Sequence, residues 1–251
     1  MSGHSKWATI KRKKEKTDAQ RGQAFTKVTR DIIMATKAGG PDPEGNFRLR
    51  LAIQNAKAIN MPNDNIQRAI KRGAGESEGE AIDEVMYEGY GPGGCALLVQ
   101  VLTGNRNRTA SEMRYIFSRN GGNLGEAGCV AWMFDQKGII EIPMDKVTMT
   151  EDELLTLAME AGAEDAKIGE EAYEITMDPA DLDTVRKYLE AQNKPYSRAE
   201  LTMVPKNTVE ITGEAVPEVI KLVDLLEEHE DVQNVYGNFE ISDEEMEKYM
   251  E

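Results

Sequence analysis

The apolar residues of this chain change period once, and the change sets a different kind of structure on each side. As far as Gly73 they recur every three or four positions. Phe25, Val28, Ile32 and Ala35 make one stripe and Leu49, Ile53, Ala56 and Ile59 another, the spacing of a buried helix face. GGPDPEG separates the two, and the second helix stops before Pro62, because the residue preceding a proline is pushed out of the α region. NDNIQRAIKRG reads as a compact third helix. In it Asn63 or Asp64 accepts the free N–H groups of the first turn, Ile66 and Ile70 pair at i,i+4, Lys71 and Arg72 face the negative end of the dipole, and Gly73 is the cap. The small, acidic stretch GAGESEGEA then reads as a linker, and beyond it strands mix with helices.

EVMYEGY and CALLVQVLT read as two strands. TASEMRYIFSRNGG reads as a helix with a Thr109–Glu112 capping box and with Met113, Ile116 and Phe117 inward, and CVAWMFD as a returning strand. GIIEIP, EDELLTLAMEAGA, EDAKIG, AYEITM, DLDTVRKYLEAQ and AELTMVP follow in the order β-α-β-β-α-β, that of a ferredoxin-like unit. NTVEIT, the helix PEVIKLVDLLEEHE and the strand VQNVYGNFEI complete the domain this unit interrupts. The expected fold class is α+β with three domains, an N-terminal basic helical bundle followed by two α/β domains. The boundaries are 1–75 for the bundle, 82–135 plus 206–241 for a discontinuous α/β domain, and 136–205 for the inserted ferredoxin-like domain.

Charge follows the same boundary. Residues 1–75 hold 16 Lys and Arg against 6 Asp and Glu, net +10, while the rest holds 14 against 39, net −25. Such an asymmetry points to a polyanionic partner for the basic part. Binding phosphates requires only cations along a surface, each neutralised phosphate releasing condensed counterions. Lys6, Lys11, Arg12, Lys13, Lys14 and Lys16 form such a track, continued by Arg21, Lys27 and Arg30 and, off the second stripe, by Arg48, Arg50 and Lys57. Trp7 either stacks on a base or pins the segment to the bundle. The third helix, preceded by a short turn at Asn60 to Pro62, resembles a groove reader that displays Asn65, Gln67, Arg68, Lys71 and Arg72. Arg106, Arg108 and Arg119 are candidate secondary phosphate contacts outside the basic domain.

Catalytic constellations are weak by comparison. Gly89, Gly91 and Gly94 satisfy G-x-G-x-x-G, but a dinucleotide loop must open a helix, and this one opens the strand CALLVQV, with Pro92 removing a donor. It reads as a hairpin turn. No G-x-S-x-G or G-x-x-x-x-G-K-[ST] occurs. Cys95 and Cys129 sit in apolar stretches, and His4 and His229 have no second His or Cys at ligand spacing. The expectation is a protein that is not an enzyme, with no metal, cofactor or small-molecule substrate. No apolar run nears the roughly 20 residues of a membrane span, which implies no membrane partner and a cytoplasmic location. Without a dimerisation zipper a monomer is expected.

SGHSKWATIKRKK, DAQRGQAFTKVTRDI, RLRLAIQNAKAINMP, IQRAIKRGAG, YEGYGPGG, TGNRNRTASEMRYIFSRNGGNLGEAG and AGAED resemble, in order and over nearly the whole chain, the YebC family. That family includes the PmpR regulators and the mitochondrial translational activator of cytochrome c oxidase subunit I. The resemblance implies a helical N-terminal domain and two α/β domains, and a non-enzymatic regulator of gene expression. Asn63 stands where a basic residue is frequent in the family. Two functions remain open at this point. One is a DNA-binding transcriptional regulator acting through the basic helical face; the other is a ribosome-associated translation factor or translational activator that binds rRNA or mRNA.

Overall fold

The computed structural model of the chain describes residues 18–76, 81–169 and 171–249. Three helices come first, α1 (Asp18–Gly39), α2 (Phe47–Ala58) and α3 (Asn63–Gly73), and α1 packs against both others. Their core is the predicted pair of stripes plus the face of α3, namely Ile32, Ala35, Leu49, Ala56, Ile66 and Ile70, and it extends to Ile82 and Leu102. Asn46 makes the corner between α1 and α2. Its Oδ1 accepts the Leu49 N–H at 3.0 Å, and its Nδ2 donates to the Ala35 and Gly40 carbonyls at 2.8 Å each.

Two details of α3 differ from the sequence reading. Neither Asn63 nor Asp64 caps it: both lie inside the first turn, and the Pro62 carbonyl takes the Asn65 and Ile66 N–H groups. Ala74, not Gly73, is the C-cap. Gly73 is instead a contact point, because a Cβ there would lie 2.6 Å from both the Ile33 carbonyl oxygen and the Thr36 Cβ. Gly73→Ala should therefore lower the thermal midpoint, the overpacking cost of about 1–3 kcal/mol exceeding the roughly 1 kcal/mol that Ala gains over Gly in a helix. A midpoint at or above wild type would show that α1 and α3 can separate freely.

Next along the chain come β1 (Asp83–Tyr90), β2 (Ala96–Thr103), α4 (Arg106–Arg119) and β3 (Asn123–Leu124), then β4 (Phe134–Pro143), α5 (Glu151–Ala161), β5 (Asp165–Ile168) and β6 (Ala172–Met177). The chain continues with α6 (Leu182–Ala191), β7 (Arg198–Pro205), β8 (Val209–Glu210), α7 (Ala215–Glu228), β9 (Val232–Gly237), β10 (Phe239–Glu240) and α8 (Asp243–Tyr249). The fold is thus mixed α and β, with eight α-helices among the described residues. It divides into two compact units, Phe134–Val204 and the described residues on either side of that segment.

In the flanking unit the sheet order is β3-β1-β2-β9. β1 and β2 pair antiparallel from Asp83↔Thr103 to Tyr90↔Ala96. The loop joining them holds Gly93 and Gly94 at φ +70 and +78, so these glycines serve a hairpin turn as read. Leu97, Val99 and Val101 turn one sheet face to Met113 and Phe117 of α4 and to Val219, Leu222, Val223 and Leu226 of α7. Cys95 is buried with them, and burial pushes its thiol up to about 11.

CVAWMFD does not form the expected strand. Residues 131–133 are a 3-10 turn, and the strand begins only at Phe134. The reason is Glu88, a buried carboxylate that accepts the N–H groups of Gly128, Val130 and Ala131 at 2.6, 2.8 and 2.7 Å and so removes them from any ladder. VQNVYGNFEI is likewise broken, at Asn238. That residue's side chain accepts the Ala96 N–H at 2.7 Å, and β10 then pairs parallel with β8.

The Phe134–Val204 unit carries a sheet of order β5-β6-β4-β7, with β6 antiparallel to both β4 and β5. Ile140, Ile142, Tyr173, Ile175 and Met177 are among its buried strand residues, and Leu154, Ala158, Leu182, Val185 and Leu189 are buried on α5 and α6. Thr150 and Glu153 form a complete capping box on α5, and Gly162 ends that helix at φ +86. Among the described residues no helix is long and apolar enough to cross a membrane.

Candidate nucleic-acid interface

The basic side chains of α1 divide by face. Lys27 Nζ donates to the Glu227 carbonyl at 2.6 Å, Arg30 Nη1 to the Glu230 carbonyl at 2.7 Å, and Gln23 Nε2 to the Glu228 carbonyl at 3.2 Å. These carbonyls lie at and just past the C-terminus of α7, the negative end of its dipole. Two side chains expected to face phosphate therefore face an acidic segment of their own chain.

Asp231 anchors the same contact. Its side chain is fully buried; Arg30 approaches Oδ1 at 2.9 Å, and Arg108 Nη2 and the Thr109 hydroxyl donate to Oδ2 at 2.7 and 2.8 Å. Burial raises the Asp231 pKa, but the Thr109 and Arg108 hydrogen bonds and the two guanidinium charges outweigh it, so the carboxyl stays below its usual range. Thr109 thus has a buried role in place of the expected capping box. The helix starts one turn earlier, where Asn105 Oδ1 accepts the Arg108 N–H at 3.1 Å. Glu112 reaches His229 Nε2 at 2.9 Å instead. Glu112, His229 and Asp231 bring their ligand atoms within 4.8 Å of one another. Two guanidinium groups already occupy Asp231, however, and a cation there would meet their repulsion.

Arg48 lies 3.8 Å from Asp31 and 3.5 Å from Glu84. Arg50 sits over the Phe47 ring at 5.9 Å and 4.0 Å from Glu44. Other cations among the described residues point outward. Lys57 is exposed on α2, and Gln67, Arg68 and Lys71 form an exposed strip along α3 with Asp64. Asn65, half-buried, accepts from Arg68 at 2.5 Å, and Arg72 is half-buried. Arg106 and Arg119 are exposed on α4, whereas Arg108 is tied to Asp231. Lys6, Trp7, Lys11, Arg12, Lys13, Lys14 and Lys16 lie outside the described residues, as does the side chain of Arg21.

Sequence reasoning passed over three exposed side chains. Arg114 is exposed on α4; Tyr115 is 62% exposed with the Arg119 guanidinium 5.6 Å from its ring centre; and Trp132 is 65% exposed, its Nε1 donating to the Cys129 carbonyl at 3.1 Å. For Arg114 and Tyr115 the available signal was their place on the helix face opposite Met113 and Phe117.

Residues 5–76 match the TACO1/YebC protein N-terminal domain, and residues 82–239 match the TACO1/YebC second and third domain. The chain belongs to the TACO1/YebC family. Among its relatives, a "Probable transcriptional regulatory protein" of Pelotomaculum thermopropionicum is 56% identical over 243 residues, covering 97% of this chain and 100% of the relative. Another of that name from Natranaerobius thermophilus is 54% identical, covering 98% and 99%. The crystal structure of a conserved hypothetical protein from Aquifex aeolicus, 53% identical, superposes with a TM-score of 0.85 over 95% of this YebC-family chain and 98% of its own.

Proposed function

We propose that this YebC-family protein is a non-enzymatic, nucleic-acid-binding regulator of gene expression, acting on DNA as a transcriptional regulator through its basic N-terminal segment and the outer strip of α3. The observation that carries the reading is the partition of its cations. Lys27, Arg30, Arg48 and Arg108 are engaged with acidic groups and carbonyls of distant segments, whereas Lys57 and Lys71 are exposed and Arg68, also exposed, bonds within its own turn of α3 to the Asp64 carbonyl and Asn65. The net −25 beyond Gly75 repels a polyanion from most of the rest of the chain and so favours one docking orientation. The regulatory names of the relatives agree with it. The reading includes a monomer in the cytoplasm and a division into three domains, the last a ferredoxin-like insertion. The strand order β5-β6-β4-β7 and the family-match boundary between residues 76 and 82 support that division. A second reading, a translation factor on rRNA or mRNA, is favoured by the exposed rings of Tyr115 and Trp132, since RNA recognition commonly stacks unpaired bases on aromatic side chains.

Changing Lys11, Arg12, Lys13 and Lys14 together to Ala should reduce the slope of log K against log salt by about 3–4 for duplex DNA, or by nearer 3 for single strands, and weaken all sequences alike. Changing Asn65, Gln67 and Arg68 should leave most of that slope and reduce any preference between sequences. Wild-type affinity and slope in the four-alanine variant, on DNA, RNA and ribosomes alike, would sink the proposal.

A further inference from the structure

We propose that the outer face of α4 is a second nucleic-acid surface, on which Tyr115 stacks an unpaired base and Arg114 and Arg119 meet the flanking phosphates. The inference rests on the nucleic-acid reading above and extends it to a surface outside the basic N-terminal segment. From Gly104 to Gly125 the chain holds four arginines and a single acidic residue, Glu112, inside the part of the sequence whose net charge is −25. Glu112 is held by His229 at 2.9 Å and lies 3.8 Å from Arg108, so it faces the Asp231 cluster. Asn107, Ser111, Arg114, Tyr115, Ser118 and Arg119 are all exposed. They recur at the three- and four-residue spacing of one helix face, opposite the buried Thr109, Met113 and Phe117.

That strip combines cations, hydroxyl and amide groups and one large ring. An aromatic side chain 62% exposed is costly to leave in water, and stacking on the π-face of a base recovers that area without regard to sequence. Arg119 lies over the Tyr115 ring at 5.6 Å, which orients the ring and keeps a guanidinium beside it, where the phosphate next to a stacked base would fall. Paired bases in a duplex cannot reach such a platform without unstacking. The partner that fits is therefore single-stranded nucleic acid, or the unpaired loop of a folded one. An acidic polypeptide would use the arginines but would gain little from the ring.

The test uses the full chain with two probes, a 20-nucleotide oligouridylate and a 20-base-pair duplex DNA, over a range of salt. Tyr115→Ala should weaken oligouridylate binding by about 5- to 140-fold, the range expected for losing one base–aromatic stack, with the salt slope unchanged and duplex affinity retained. Tyr115→Phe should bind like wild type. Arg114→Gln with Arg119→Gln should lower the single-strand slope by about 1.4, for two phosphates lost. Wild-type affinity for oligouridylate in Tyr115→Ala would overturn the inference. If the four-alanine variant loses duplex binding in that same series, the N-terminal reading still stands. Equal displacement of oligouridylate by polyglutamate of the same charge would also overturn it, assigning the strip to acidic protein. No binding of either probe by the wild-type chain would end both readings.

Discussion

Asp231→Ala should destabilise the unit containing α1 and α7 by about 3 kcal/mol, the lower end of what breaking a buried ion pair costs. The lower end applies because only the carboxylate is wholly buried; Arg30 and Arg108 keep 18% and 44% of their side-chain exposure and recover some hydration. Thr109 is not orphaned, since its hydroxyl also reaches the Asn105 carbonyl at 3.0 Å. The loss therefore falls mainly on the two guanidinium groups and on the contact between α1 and the end of α7. Urea unfolding measures it, and a cycle with Arg30→Ala should show the two substitutions to be strongly non-additive. The effect has a defined pH dependence. The folded pKa of Asp231 lies below its unfolded value, so its contribution is fully present above the unfolded pKa and fades as pH falls through the folded one. The gap between wild type and Asp231→Ala should accordingly narrow in acid. No gap at neutral pH would mean that apolar packing alone holds α1 in place, and a gap constant with pH would mean that the charge of the carboxylate is not what the substitution removes.

The same cluster shows what one sequence can and cannot disclose. Helix stripes are local, and the periodicity that marks Ile32, Leu49 and Ile66 as inward needs no knowledge of the rest of the chain. The direction of a charge is not local. Lys27 and Arg30 have the helical spacing of a solvent-facing strip, and only the meeting of α1 with carbonyls 200 residues away turns them inward. Thr109 and Glu112 fit a capping-box pattern, but Asn105 stands one turn earlier with an equally good acceptor, and Asp231 provides Thr109 with a buried partner. In each case the local rule was sound, and a distant group offered a stronger interaction. Strand breaks were lost for the same reason. Nothing in VQNVYGNFEI says that Asn238 will satisfy the Ala96 N–H, and nothing in CVAWMFD says that a glutamate in β1 will collect its amides.

That glutamate gives the second large effect. Removing Glu88 as Ala leaves three N–H groups of the 128–131 loop without their acceptor. Val130 is buried, so at least about 2 kcal/mol should be lost, with the Gly128 and Ala131 amides partly rescued by water. Glu88→Gln should recover little of it. One carboxylate oxygen serves Gly128 and the other serves both Val130 and Ala131, so an amide would place its NH2 against N–H donors on one side or the other. This inability of the isosteric amide to rescue separates an acceptor role from mere space filling, under which Gln would be nearly silent. Burial raises the Glu88 pKa, but the three backbone donors outweigh it and hold the carboxyl below its usual range. Its stabilisation is therefore complete above the unfolded pKa and is lost as pH falls through the folded one, when the added proton replaces an acceptor with a donor. Amide hydrogen exchange at Val130 and Ala131 should accelerate in Glu88→Ala at neutral pH, and in wild type only in acid. Unchanged exchange at both amides would mean that the loop holds its shape through Cys129 and Met133, whose own N–H groups bond to the Glu126 and Val130 carbonyls.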